Sequence, residues 1–470
     1  MAGTTSMDNG TKSPLKIIVN IFISFIGAGI LGLPYAFKES GLLEGIFIMI
    51  LVSVFSTRAM MLIIQCKYKI LGINITNGSL RHSIPMEEKY DLTRIKKWEE
   101  IKQLLLTTDE EQDCMQMVEF EKHQVSSLNY GDIGYHAMGG LGRWLVDLTL
   151  LISQLGFCCA YLIFILENVS SYISYVNKSQ WLILLLPPLF LLSLLRHLHK
   201  LAVFSFFAQI SNVFALAVVF WFDFEHVHTV KQRFHPKEFS LKGFPFFFAM
   251  AIYCYEGAGM ILSLEESLSV KVRNKFSRYL LGTLSVVTLL YIAFGVSGYM
   301  SFGSETNEII TLNLPCGNGI DFAMIVKLFL CVSLFFTYPV MMFPVTRLLE
   351  NRFLDSKENQ IFQQNLLRLL LVSLTGLIVI LVPNFANLMA FIGATCCTLL
   401  AFILPGLFHF FTFRSTITKW ECVFDCWLIL FGLAGSVIGT QDALQRMMGF
   451  QTTKQYLSVN STNLQVSTTH

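Results

Sequence analysis

The sequence predicts an all-α polytopic membrane protein of about eleven transmembrane helices, and three observations carry that prediction. Of 470 residues, 54% are hydrophobic and only 14% are charged, whereas soluble domains carry about 25% charge. The apolar residues form long unbroken runs, such as Trp181 to Leu195 and Leu366 to Leu381. These are too long and too uniform for barrel strands, and hydrocarbon leaves no other spanning structure than the helix. Finally, a Gly-Ala-Gly triplet occurs at Gly27-Ala28-Gly29 and again at Gly257-Ala258-Gly259, five apolar runs apart.

Taken in order, the apolar runs place spans near 15–37, 43–66, 143–168, 180–196, 200–222, 243–264, 278–300, 322–346, 365–382, 385–411 and 420–440. Residues 15–440 therefore form the transmembrane domain, between an N-terminal tail (1–14) and a C-terminal tail (441–470). The longest connection, 67–142, is polar and mixed in charge, with an amphipathic stretch around Asp91 to Leu106. Met1 to Pro14 has no apolar core of the signal-peptide kind, so the first span is expected to act as its own insertion signal.

Basic residues in the short loops set the orientation. Arg196 to Lys200, the group Lys271, Arg273, Lys275 and Arg278, Arg347 to Arg368, and Arg414 with Lys419 fall on the N-terminal side, whereas Gly303 to Asp321 has no basic residue. Lys231, Arg233, Lys237 and Lys242 run against this vote. The majority puts the N-terminus and 67–142 in the cytoplasm and the C-terminus outside or in a lumen. The sequons at Asn177 and Asn460 then lie on the non-cytoplasmic side, as glycosylation requires.

Gly and Pro clusters weaken helices, so matched clusters in spans one and six need a reason. The first reads Phe25-Ile26-Gly27-Ala28-Gly29-Ile30-Leu31-Gly32-Leu33-Pro34, and the second Tyr255-Glu256-Gly257-Ala258-Gly259-Met260. Carriers built from a five-plus-five inverted repeat unwind the first helix of each half, where freed amides meet an anionic group and freed carbonyls a cation. Glycines for close helix packing are the alternative. A free amino acid suits such a site, with its carboxylate on the amides of Ile26, Gly27, Ala28, Gly29 and Ile30. Its ammonium would lie against the carbonyls of Tyr255, Glu256, Gly257 and Gly259.

Glu256 is an ionisable residue in an apolar span, costly there and functional by default. It could carry a coupling proton, or lock the unwound helix by accepting backbone N–H bonds. Ser333 and Thr337 share a face of span eight and could complete a cation site, or bond back to their own helix. Asp147, Gln154 and Lys327 are expected to be paired within the bundle, and His226, His228 and His235 to be solvated in one loop, with a sensor of lumenal pH as the alternative. Cys422 and Cys426 lie one turn apart, a spacing read as packing. No metal, cofactor or nucleic-acid contact is expected, and no nucleophile–base pair or phosphate loop points to an enzyme.

Gly27 to Phe37 resembles the first-helix signature of the amino acid/auxin permease family. Three further stretches match in order: Tyr130 to His136 with Gly142-Arg143-Trp144 through Phe164, Tyr255 to Leu262 with Glu265, and Thr337-Tyr338-Pro339 through Pro344. The similarity runs from about residue 13 to 440 and is nearest to the proton-coupled and vacuolar amino acid transporter branch. It implies an eleven-helix fold, alternating access and small neutral amino acids as cargo. Sodium-coupled relatives carry an asparagine four residues before the glycine pair, where this chain has Ile23, so the resemblance favours protons over sodium. Glu100 to Leu105 resembles an acidic dileucine sorting signal, which points to a lysosomal or vacuolar membrane, with the plasma membrane as the alternative. Two other functions fit the same residues: a sensor signalling through 67–142, and a carrier of another small organic solute.

Overall fold

The computed structural model describes residue 11 and residues 13–76, 79–82, 128–173, 175–195, 208, 210–223, 236–314, 322–353 and 360–467. Seven helices in it are long and apolar enough to cross a membrane: Leu42–Ile70, Gly140–Tyr172, Phe276–Glu305, Ala323–Phe353, Ile361–Leu381, Phe385–Thr412 and Lys419–Gly449. The pair Pro14–Phe25 and Ala28–Ser40 forms one span bent by 50°. Lys178–Ser193, Ile210–Asp223 and Phe244–Cys254 are shorter apolar helices, and the last resumes after a break as Ile261–Glu266. Among the described residues these segments are consistent with the eleven spans expected. Span two shows how they meet lipid: Leu43, Phe47, Ile50 and Val54 point outward in one stripe, while Ile48, Met49 and Val52 are buried. Such a stripe is at home against hydrocarbon.

Three boundaries differ from the sequence expectation. Span two continues to Ile70 and is followed by a two-stranded antiparallel hairpin, Ile73–Thr76 against Ser79–His82. The far end of the 67–142 connection is also helical. Tyr130–Met138 starts at Asn129, which exchanges hydrogen bonds with Asp132, and ends at Gly139, whose φ of 67° lets the chain turn into span three. A left-handed backbone of this kind favours glycine. Lastly, the helix of span eleven does not stop at 440 but runs from Lys419 to Ser467. Gln441 to Arg446 is largely polar but, Asp442 apart, made of good helix formers, and Asp442 and Arg446 pair across one turn at 2.9 Å. The amphipathic stretch near 91–106, Glu100 to Leu105, the histidines 226, 228 and 235, and the basic residues at 196–200, 231 and 233 lie outside the described residues.

The two broken spans are built alike. Each first half opens with a proline in its first turn, at Pro14 and Pro245, and runs for 12 and 11 residues before breaking. Span ten packs against the first half of span six through Gly393, where a Cβ would overlap the Ala249 carbonyl. At that point span ten is wound as a π-helix over Gly393–Cys397, and the Thr398 hydroxyl donates to the Gly393 carbonyl at 2.7 Å. Gly393→Ala is expected to lower the melting temperature of the detergent-solubilised protein, because overpacking against backbone costs about 1–3 kcal/mol. An unchanged melting curve would mean that the two helices can separate freely.

Buried charges tie the halves together. Lys67 at the end of span two is 1% exposed and bonds Glu265 at 2.7 Å and Glu266 at 2.8 Å in the second half of span six. Tyr68 and Arg273 also hold Glu265, at 2.7 and 3.0 Å. Removing one partner of a fully buried pair costs about 3–5 kcal/mol, and Arg273 and Tyr68 would offset part of that for Glu265. Lys67→Met is therefore expected to destabilise the fold far more than an exposed lysine change such as Lys16→Met, as read by the yield of monodisperse protein.

Candidate functional site

The first span leaves the helix at Ile26 because Gly27 takes up an extended backbone, φ −124° and ψ −169°. The chain then winds as a 3₁₀ turn over Ala28–Gly32 before the second half begins. The first amides of a new helical segment have no preceding turn to bond, and those of Gly27, Ala28 and Gly29 make no backbone hydrogen bond among the described residues. In the sixth span the helix ends at Cys254, and the segment 255–260 turns through Gly257 before Ile261–Glu266 resumes. The carbonyl end of the first half of span six thus lies opposite the amide end in span one.

Between them lies a cavity of about 400 Å³, within the range of small-molecule sites. Spans one, three, six, seven and eight line it. Gly27, Ala28, Gly29, Glu256 and Gly259 are on its wall. Ile26 and Ile30 face away, towards a small crevice shared with Asn212 and Leu334. Tyr255 is buried and donates to Thr288 at 2.7 Å, while Gly257 packs beneath the Phe25 ring. These four residues shape the breaks and leave the wall to the others. Sequence reasoning missed the aromatic wall, Phe157, Tyr161 and Tyr253, with Tyr291 from span seven. A tyrosine in an apolar span signals a hydroxyl in need of a partner, but nothing local says which partner it finds.

Glu256 holds its own loop, its Oε1 accepting from the Gly259 amide at 3.4 Å, while its Oε2 is buried without a hydrogen-bond partner among the described residues. Gln154 likewise has a buried amide oxygen without such a partner. Both residues line the cavity. Ser333 and Thr337 are not on its wall. Ser333 donates to the Ala208 carbonyl and the Asn212 side chain, both at 2.9 Å, and Thr337 bonds back to the Ser333 carbonyl at 2.8 Å.

The cavity opens towards the face that carries the N-terminus. Ser24, Ser263 and Pro344 on its rim lie beyond the breaks on that side, and Ser263 and Pro344 are exposed. The opposite face is tied shut. Lys38 donates to the Thr306 carbonyl at 3.0 Å, Arg446 pairs with Glu39 at 2.9 Å, and Leu42 bonds the Lys237 carbonyl at 2.9 Å. Glu308 bonds Asn384 on the same side.

A one-sided cavity between two broken spans of a helical bundle is the architecture of membrane carriers with a central binding site. The fold is shared with a solved structure described as the inward facing conformation of Mhp1, at a TM-score of 0.52 and 10% identity, covering 95% of this chain and 92% of that one. The chain belongs to the family of transmembrane amino acid transporter proteins, whose sequence profile matches residues 10–75 and 112–445. Among its relatives are two amino acid transporters of Arabidopsis thaliana. AVT3C is 32% identical, over 93% of this chain and 91% of the relative, and AVT3B is 33% identical, over 92% and 93%. It is thus a multi-pass membrane protein of an amino acid transporter family, not an enzyme.

Proposed function

We propose that the chain carries small neutral amino acids across its membrane in company with protons. The observation that carries the cargo class is the charge on the cavity wall: among the described residues lining it, Glu256 is the one charged group. A buried charge without a counter-charge is costly. The single carboxylate suits the ammonium of an amino acid, and the amides at Gly27 to Gly29 suit its carboxylate. Nothing then remains on the wall to balance a charged side chain. Leu150, Phe157 and Val345 offer an apolar seat instead.

Proton coupling rests on Glu256. Its unpartnered Oε2 can take a proton or meet an ammonium, so that occupancy and protonation are linked. Ser333 and Thr337 direct their hydroxyl protons at Asn212 and at their own helix, off the cavity wall, and residue 23 is Ile where sodium-coupled relatives carry an asparagine. This favours protons over sodium. With the N-terminus in the cytoplasm, as the basic loops suggest, the cavity faces inward, and alternating access requires the Lys38, Glu39 and Leu42 contacts to part. The membrane of a vacuole or lysosome is the setting proposed, with the plasma membrane as the alternative.

Competition tests the cargo. A fivefold or greater loss of labelled neutral amino acid uptake is expected with excess unlabelled neutral amino acids, and little loss with glutamate or lysine. Equal competition by lysine would overturn the neutral class.

A further inference from the structure

Both broken spans end their first halves with a backbone carbonyl that the helix no longer uses, at Phe25 and Cys254. One side chain meets both. Tyr291, at the middle of span seven and 1% exposed, donates its hydroxyl to the Phe25 carbonyl at 2.5 Å and stands 3.3 Å from the Cys254 carbonyl. Its ring is seated edge-on against Tyr255 at 5.5 Å, and Tyr255 is itself held by Thr288. The phenol is thereby aimed at the junction and lines the cavity.

Converging carbonyls at the ends of broken helices are the groups that hold a coupling cation in carriers of this architecture. We propose that the Tyr291 hydroxyl takes the place of such a cation here, its fixed O–H proton supplying the positive partner that draws the two carbonyls together. Tyr291 is then a positioning residue: it keeps the breaks of spans one and six in register through the cycle without any metal ion. This deepens the proton-coupled reading above, because a carrier whose carbonyl junction is closed by a resident proton has no sodium to exchange there.

Two substitutions separate the parts of this proposal. Tyr291→Phe keeps the ring and removes the proton, leaving the two carbonyls facing each other. Tyr291→Ala removes the ring as well and opens the junction. Melting temperatures of the purified full-length protein are measured in choline, sodium and potassium chloride at one ionic strength, a readout that needs no knowledge of the cargo. The wild type is expected to melt at the same temperature in all three salts. The Phe variant melts lower and remains insensitive to salt, and the Ala variant is raised by at least one of the metal cations. Uptake by the Phe variant is expected to fall about tenfold in maximal rate at equal protein density, more than its KM changes, because the register of the breaks and not the cargo contacts is lost.

A wild type already stabilised by sodium over choline would overturn the proposal, as would a Phe variant with wild-type melting and uptake. Should the Ala variant fail to fold, the wild-type and Phe measurements decide alone. Failure of the neutral amino acid reading would appear separately, as absent uptake by the wild type with the salt pattern intact.

Discussion

Gly27→Val is expected to cut transport sharply while leaving the protein folded in the membrane. Gly27 has an extended backbone that any residue can adopt, and among the described residues a Cβ there meets nothing within 4 Å. The valine branches would enter the cavity at the unpaired amides, where the cargo carboxylate is proposed to sit. Losing one charge-assisted hydrogen bond costs about 1.5–3 kcal/mol, and each 1.4 kcal/mol is about tenfold in affinity. Uptake should therefore fall roughly ten- to a hundredfold, with surface density and melting temperature near those of the wild type. Gly259→Val is a less clean probe, because its Cβ would approach a Leu150 methyl carbon at 2.8 Å and that side chain must shift. Normal uptake by Gly27→Val would move the site away from the first break.

Glu256→Gln is expected to separate drive from translocation. Glutamine keeps the shape and an oxygen for the Gly259 amide, so the turn over 256–259 should hold. It cannot release or take up a proton in the physiological range. Accumulation of cargo under an imposed pH gradient should disappear, while one-for-one exchange of labelled for unlabelled cargo persists with a raised KM. Exchange and accumulation measured in the same proteoliposomes distinguish the two effects. If the glutamine variant still accumulates cargo on a pH gradient, Glu256 serves only to lock the turn through Gly259 and the proton rides elsewhere.

How much of this could be read from the chain follows from which forces act locally. The spans were legible because hydrocarbon demands apolar runs of fixed length, and the breaks because glycine and proline are the residues a helix tolerates least. The Gly27 and Glu256 neighbourhoods were visible for that reason. Helix ends outside the apolar runs were not. Gln441 to Arg446 is polar enough to look like a tail, yet its propensity and the Asp442–Arg446 pair carry the helix on. The same limit hid the entry helix at Tyr130.

Side-chain partners were the other gap. A spacing of four placed Ser333 and Thr337 on one face of a helix, but only packing reveals that the face meets Asn212 and not the cavity. Tyr291 signalled only a hydroxyl in need of a partner, because its two acceptors lie 266 and 37 residues away in sequence.

The central claim, a proton-linked carrier of neutral amino acids with its site at the two breaks, is tested most directly in proteoliposomes holding the purified full-length protein. Labelled neutral amino acids are supplied in sodium-free buffer, with and without an imposed pH gradient. Uptake that rises with the gradient and is lost on its collapse by a protonophore is the result expected. Uptake that ignores the gradient and appears only when sodium is added would contradict it.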